Sequence, residues 1–424
     1  MSETDRTRPL LLQRDFAALW WGQLISILGD RLNYLALGGM LLEHTGRFAD
    51  TAQSSLLLGL LGNVMLAPVL LFAPFAGPWV DRWNHRRTML VSDVLRGLLV
   101  LAIPLLYELT HHIGTTFSMV FLLFTCNVFF LPAKSAITPE IVPARQLLAA
   151  NTLLSVAGIA ATAIGALLGG WVVDHWGWRV ALWVDAISYL ASVVSIALIR
   201  YRAPAPPPSN AVTLRGYFHE IGEGLSVVRR SSAVGLALLA LGAVWVGGGF
   251  LHVAGNQHIQ RAASIPGMER IGILMAVVGV GAALGTAWVN GAGRRVPRPV
   301  LLGVGLLLAG GWLVAFAVST RFAVFAIVGL LVGMCIAPAF VLSETLLQEH
   351  TDAGTRGRVF SMRDFGMRLG FQFAIWIAAF LTPLLGTGRT MLVAAGLLSG
   401  AGVLVVALGR RNPALMRPDA ARTP

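Results

Sequence analysis

Twelve stretches of mostly apolar residues recur along this chain of 424 residues, each of roughly 20 residues and so long enough to cross a ~30 Å hydrocarbon layer as a helix. Lipid offers no hydrogen bonds to an open backbone, which leaves helices or a closed barrel. The sequence lacks the short alternating strands of a barrel. Its 56% hydrophobic and 12% charged composition, with mean hydropathy +0.73, lies outside the range of water-soluble domains. The expected spans are Phe16–Leu42, Ser54–Trp79, Met89–Leu109, Thr116–Ile141, Leu147–Val173 and Trp178–Ile199. A second set follows at Ala233–Ala254, Gly267–Val289, Pro299–Val318, Phe322–Leu347, Phe365–Leu385 and Thr390–Leu408.

The net charge of +12 is scattered over short loops rather than gathered on one soluble face, which argues against a nucleic-acid partner. Arginine accumulates in alternate connections: Arg82, Arg86 and Arg87; Arg145; Arg200 to Arg230; Arg294, Arg295 and Arg298; and Arg356 and Arg358. Cationic flanks are retained inside during insertion, so these loops are expected in the cytoplasm together with both termini. The location expected is a bacterial inner membrane. Met1 to Asp15 shows no leader pattern, and the first span is expected to act as its own insertion signal.

The chain is expected to divide into a six-helix bundle (1–199), a cytoplasmic linker (200–232) and a second bundle with its tail (233–424). In the linker, Leu214, Phe218, Ile221, Leu225 and Val228 have the spacing of an amphipathic surface helix, as either a solvated linker or a partner site. Pro132-Ala133 and Arg86-Arg87 are echoed by Pro338-Ala339 and Arg294-Arg295, at offsets of about 207 residues. Parallel repeats of this kind place a binding cavity between the halves, opened alternately by rocking. The fold expected is an all-α membrane protein of twelve helices, its two halves related by pseudo-twofold symmetry.

Charged groups inside a membrane are costly unless paired or wetted, so each is a functional candidate. Asp30 lies roughly 21 Å into the first span, where reversible protonation would couple a cation gradient to transport; the alternative is a static pair with a neighbour such as Arg31. Lys134, the single lysine, either receives an anionic cargo group or snorkels to the interface. Asp93 and Arg96 have the spacing of an intrahelical pair. Glu344, Arg363, Asp364 and Arg368 group as a cytoplasmic gate, and Asp185 is expected near the outer interface. Gln23, Asn33, Asn127, Trp245, Asn256, Gln372 and Trp376 are candidates to line a cargo cavity or to pack as anchors. No nucleotide-binding lysine loop, metal-ligand cluster or catalytic constellation is present, and no cofactor or enzymatic activity is expected. Gly279-Val-Gly281 with Gly285 is read as close helix packing.

Gly77-Pro-Trp-Val-Asp81-Arg82-Trp-Asn84-His-Arg86-Arg87 resembles the signature loop of the major facilitator superfamily. The resemblance implies a twelve-helix transporter in which Asp81 latches to the start of the eleventh span near Arg363, with Gly77, Arg82, Arg86, Arg87, Asp93, Arg96, Glu344 and Arg358 around the gate. Phe16 to Asp30, Pro132 to Pro143 and Arg356-Gly-Arg358-Val-Phe360 resemble the enterobactin and macrolide exporters. Gly165-Ala-Leu-Leu-Gly169-Gly170 resembles an antiporter motif with Ala166 in place of proline. Gly29-Asp30 with Pro132-Ala133-Lys134 also resembles lysophospholipid transporters. The functions implied are a monomeric, proton-coupled exporter of drugs or siderophores or a lysophospholipid flippase; a non-transporting sensor or scaffold is the third reading.

Overall fold

A computed structural model describes residues 9–46, 50–80, 82–200, 214–262, 267–351, 353–412 and 415–416. The chain is helical. It runs through α1 (Arg14–His44), α2 (Thr51–Val80), α3 (His85–Thr110), α4 (Ile113–Ile141) and α5 (Leu147–Ala197) to α6 (Leu214–Arg230). Then follow α7 (Ser232–Phe250), α8 (Asn256–Ala262), α9 (Glu269–Asn290), α10 (Arg298–Val318), α11 (Phe322–Glu349), α12 (Ala353–Leu385) and α13 (Thr387–Arg410).

Ten of these segments are long and apolar enough to cross a membrane, counting α5 once and α7–α8 once. Gly177, at φ +86°, breaks α5 into two arms, because only glycine enters that region without a Cβ clash. Gln23, Asp30, Arg31 and Asn33 lower the hydropathy of α1, which supplies the remaining crossing; the protein has the twelve spans its sequence implies. Two spans differ in extent from expectation. The seventh continues past Ala254 through a π-helical turn, Leu251–Gly255, into α8, and the eleventh begins at Ala353 rather than Phe365.

The chain separates into two compact units. Of the described residues, one comprises those within 1–40, 64–213 and 267–272, the other those within 41–63, 214–266 and 273–424, so α1, α2 and α9 are each shared. In the first, Phe16, Leu19, Val80, Met89, Phe130, Ile137 and Ile196 form an apolar core. In the second, glycine carbonyls bring α10 and α13 into backbone contact. A Cβ on Gly303 would sit 2.6 Å from the Gly402 carbonyl oxygen, and one on Gly402 would sit 2.5 Å from that of Gly303. Gly281 meets the Leu330 carbonyl and Gly285 that of Met334, which bears out close packing for both; Gly279 has no such neighbour.

The linker helix α6 packs on α12, with Gly224 over the Arg358 carbonyl and the Glu223 carboxylate 2.7 Å from the Arg358 guanidinium. Of the expected stripe, Ile221 and Val228 are half-buried and Leu225 is 45% exposed, while Gly224 is buried beside α12. The side chains of Leu214 and Phe218 lie outside the described residues.

Gly303→Val and Gly402→Val each force the α10–α13 contact apart and are expected to destabilise the protein by about 1–3 kcal/mol. A detergent-solubilised melting temperature equal to wild type would contradict that reading.

Candidate functional site

The buried charges of the first unit converge on one guanidinium. Asn84 caps α3, its side chain accepting from the Arg87 N–H. Twelve residues on, roughly 18 Å along the axis, stands Arg96. Its two terminal nitrogens donate to Asp93 at 3.0 Å and to Asp30 at 2.9 Å. The Cζ of the same group lies over the rings of Tyr189, 4.4 Å from its centroid, and Phe130, 5.1 Å from its centroid. Tyr189 donates its hydroxyl to Asp30 at 2.5 Å, and Ser192 donates to Asp93 at 2.6 Å. Arg96 and Asp93 side chains are 4% and 0% exposed, whereas that of Asp30 is 38% exposed, so one carboxylate of the network reaches open space.

One expectation changes here. Asp30 pairs with Arg96 and not with Arg31, because consecutive helical residues diverge by about 100° and Arg31 turns toward Gly165 of α5. Asp93 and Arg96 form the intrahelical pair their spacing implies, and about two and three turns inside α3 that pair extends into an interior network.

Asp185 is a second correction. Instead of meeting water at an interface it is fully buried, accepting from Asn33 at 2.8 Å and from Ser188 at 3.1 Å. The approach depends on Gly29, where a Cβ would lie 2.0 Å from Ser188 Oγ and 2.3 Å from Asp185 Oδ1. Lys134 of α4 is half-buried, its ammonium making no hydrogen bond or ion pair among the described residues, and it lies within the electrostatic reach of Asp30, Arg96 and Asp93. The structure therefore gathers Asp30, Asn33, Asp93, Arg96, Lys134 and Asp185 from four helices.

The remaining candidates fall into other settings. Gln23 is buried with its amide nitrogen unpartnered, and Asn127 is half-buried. In the second unit Trp245 stands edge-on to Phe371 and lines a cavity of about 190 Å³ with Glu344, Arg363, Asp364 and Arg368. Arg363 pairs there with both Glu344 and Asp364. Gln372 donates to the Asn63 carbonyl at 3.4 Å, and Asn256 has an unpartnered buried oxygen. Trp376 stacks on Phe380, which is 67% exposed, and so belongs to an outward-facing stripe.

At the signature loop, Asp81 lies outside the described residues, as does the Gly77 position beyond its helical backbone. Arg86 donates to the carbonyls of Ile196 and Ala197 at the C-terminus of α5, where a cation suits both the orphan acceptors and the helix dipole. Arg82 and Arg87 are exposed.

Sequence reasoning missed Asp174. Its two oxygens accept from the Met268 and Glu269 N–H groups at 2.7 and 2.8 Å, capping α9. Gly170 sits against the Met268 carbonyl, which gives the glycine-rich stretch of α5 a packing role. The signal was present. Gly170-Trp-Val-Val-Asp174-His-Trp176 repeats the spacing of Gly77-Pro-Trp-Val-Asp81-Arg-Trp83, one helix triplet later. An inverted triplet repeat carries the second copy to the opposite end of the span.

Helices of this number and hydropathy, with ionisable groups held inside them, define a multi-pass membrane protein. The sequence profile of the Major Facilitator Superfamily matches residues 19–264, and the chain belongs to that superfamily. It is 27% identical over 363 residues to the "Lysophospholipid transporter LplT" of Serratia proteamaculans (strain 568), covering 82% of this chain and 84% of that protein. It is 23% identical over 381 residues to the "Putative bacilysin exporter BacE" of Bacillus subtilis (strain 168), covering 89% and 91%. Neither is an enterobactin or macrolide exporter, and the relationship holds at the level of the superfamily. In fold it matches the crystal structure of a bacterial homolog to the human lysosomal transporter Spinster, with TM-score 0.72, 15% identity and coverage of 98% and 99%. A POT family transporter in complex with a thioalcohol conjugated peptide matches with TM-score 0.70, 13% identity and coverage of 96% and 99%.

Arg96→Met leaves Asp93 buried without its cation and is expected to cost about 3–5 kcal/mol. Adding Asp93→Asn and Asp30→Asn recovers part of that loss in thermal unfolding; a triple variant no better than the single one would refute the pairing. Gly29→Ala, with no new charge, is expected to cost about 1–3 kcal/mol by driving α1 off Asp185 and Ser188.

Proposed function

We propose that this chain is a proton-coupled secondary transporter of an amphipathic solute, working by alternating access, with Asp30 as the group that takes up and releases the proton. The observation that carries the proposal is the uneven exposure of the Arg96 network. Asp93 and Arg96 are sealed, while Asp30, hydrogen-bonded to both Arg96 and Tyr189, stays within reach of water. Three carboxylates, Asp30, Asp93 and Asp185, face two cations, Arg96 and Lys134; Arg31 points elsewhere. One carboxylate is left in excess across the network, and Asp30 is the member that open space reaches and through which a proton can be exchanged. Loading Asp30 loosens its hold on Arg96, which frees α1 from α3 and supplies the coupling between proton and conformation.

The cargo falls in one of two classes. An exporter of small amphipathic compounds, drugs or siderophores, is supported by the likeness to an exporter over nine-tenths of the chain. A lysophospholipid transporter is equally supported, by a relative with that name and by the half-buried Lys134 as a partner for a head-group phosphate. In either case we place the monomer in a bacterial inner membrane with both termini in the cytoplasm, on the arginine distribution.

Uptake into proteoliposomes under an imposed pH gradient tests both parts, using a small cationic dye and a labelled lysophospholipid. Wild type is expected to move one of the two in a gradient-dependent manner. Asp30→Asn is expected to fall to the level of empty liposomes with the gradient yet retain exchange of preloaded cargo. Equal gradient-driven uptake by both proteins would remove Asp30 from the coupling step.

A further inference from the structure

The cavity of about 190 Å³ in the second unit holds two acids and two arginines whose contacts do not divide evenly. Arg363 takes both carboxylates. It donates to Glu344 and, at 2.9 Å, to Asp364, with its Cζ 4.4 Å from the centroid of the Phe360 ring. Arg368 is left over: it is half-buried and makes no hydrogen bond or ion pair among the described residues. The other described arginines of this unit that are withdrawn from solvent are matched, Arg298 by Glu349 and Arg358 by Glu223.

Depth makes the unmatched guanidinium costly. Arg368 stands roughly 17 Å into the span that begins at Gly357, and Trp245 roughly 20 Å into the crossing that begins at Ser232, each in the middle third of its length. A side chain so placed cannot snorkel to an interface, and in hydrocarbon it needs water or a counter-charge. The cavity supplies the room for either. Its remaining walls are apolar: Trp245 of α7, Phe340 of α11, 46% exposed, and Met367 of α12. Trp245 is fixed edge-on to Phe371, with ring centroids 5.8 Å apart. The volume is below the ~300–1,000 Å³ that encloses a drug-sized molecule, so the cavity takes one end of a ligand and not the whole of it. A cationic end would meet Arg368, while the carboxylates that could attract it are held by Arg363.

We propose that this cavity receives the anionic end of an amphipathic ligand, a carboxylate or a phosphate ester, with Arg368 as its ion-pair partner and the rings of Trp245 and Phe340 as the wall for the adjoining apolar segment. The inference deepens the transport reading and rests on it only in calling that ligand cargo. Arg368 is then a cargo-binding residue, and Arg363 with Glu344 and Asp364 forms a self-contained group beside it.

Binding of radiolabelled octyl phosphate to the purified full-length protein in neutral detergent, followed by scintillation proximity without any gradient, tests the site. Octanoate is expected to compete, and octyltrimethylammonium and octanol to compete roughly 10-fold less well than either anion. The tighter of the two anions identifies the head group. Arg368→Gln is expected to weaken octyl phosphate roughly 10-fold at an unchanged melting temperature, since it orphans no partner, and Arg368→Lys to restore most of the affinity. Trp245→Ala is expected to weaken every octyl ligand and keep the preference for anions. Equal competition by the octyl cation, or wild-type affinity in Arg368→Gln, would overturn the proposal. Inorganic phosphate competing as well as octyl phosphate would overturn it too, leaving a plain anion site. The competition series on wild type reads the charge of the site even where a variant does not fold. Exchange of preloaded octyl phosphate across proteoliposomes separates this inference from the reading beneath it. Anion-selective binding without exchange supports the site and removes the transport role, whereas exchange that is the same in wild type and Arg368→Gln removes the site and leaves transport.

Discussion

A guanidinium that cannot lose its proton, buried in the middle of a helix bundle, dictates much of the first unit. Arg96 must be matched by charge, by acceptor geometry and by aromatic contact, and α1, α3, α4 and α5 each contribute to that match. The need explains otherwise unrelated features of the sequence. Gly29 lets α1 lie close to Asp185 and Ser188, Gly22 does the same beside Ser195, and Gly97 admits Tyr189 against α3. Small residues at these crossings are what allow polar groups to meet inside hydrocarbon, where each unpaired one is expensive.

The same economy governs the ends of the helices. Orphan backbone groups there are met by charged side chains: Arg86 at the carbonyls closing α5, and Asp174 at the amides opening α9. The Gly-x-x-x-Asp spacing of the signature loop recurs at Gly170 and Asp174, and in that second copy the acid is seen capping a helix. A carboxylate on a helix N-terminus is strong enough to hold an element and weak enough to release it, of the order of 1 kcal/mol.

The number of spans was legible from the length of the apolar runs, since hydrocarbon thickness sets it, and so was the break between the fifth and sixth spans, which falls at Gly177. Asp30 stood out because an acid amid apolar residues has no local explanation. Its partner did not. Arg31 is adjacent in sequence but diverges around the helix, whereas Arg96 arrives from 66 positions away. Asp185 was misjudged for the same reason: its distance from the span end suggested water, and only the packing of Gly29 against it removes that water. The π-turn after Phe250 and the docking of α6 on α12 through Gly224 and Glu223 were equally invisible, because each depends on a surface supplied by another helix.

By itself the sequence determined that this protein lives in a membrane, crosses it about twelve times and carries charges that lipid would reject, because transfer energy and helix rise depend on composition and length alone. Which charges meet was decided by tertiary structure. Pairing at 3 Å requires two helices to present facing side chains at the same depth with nothing larger than glycine in the way, and that register is a property of the packed bundle and of no single segment.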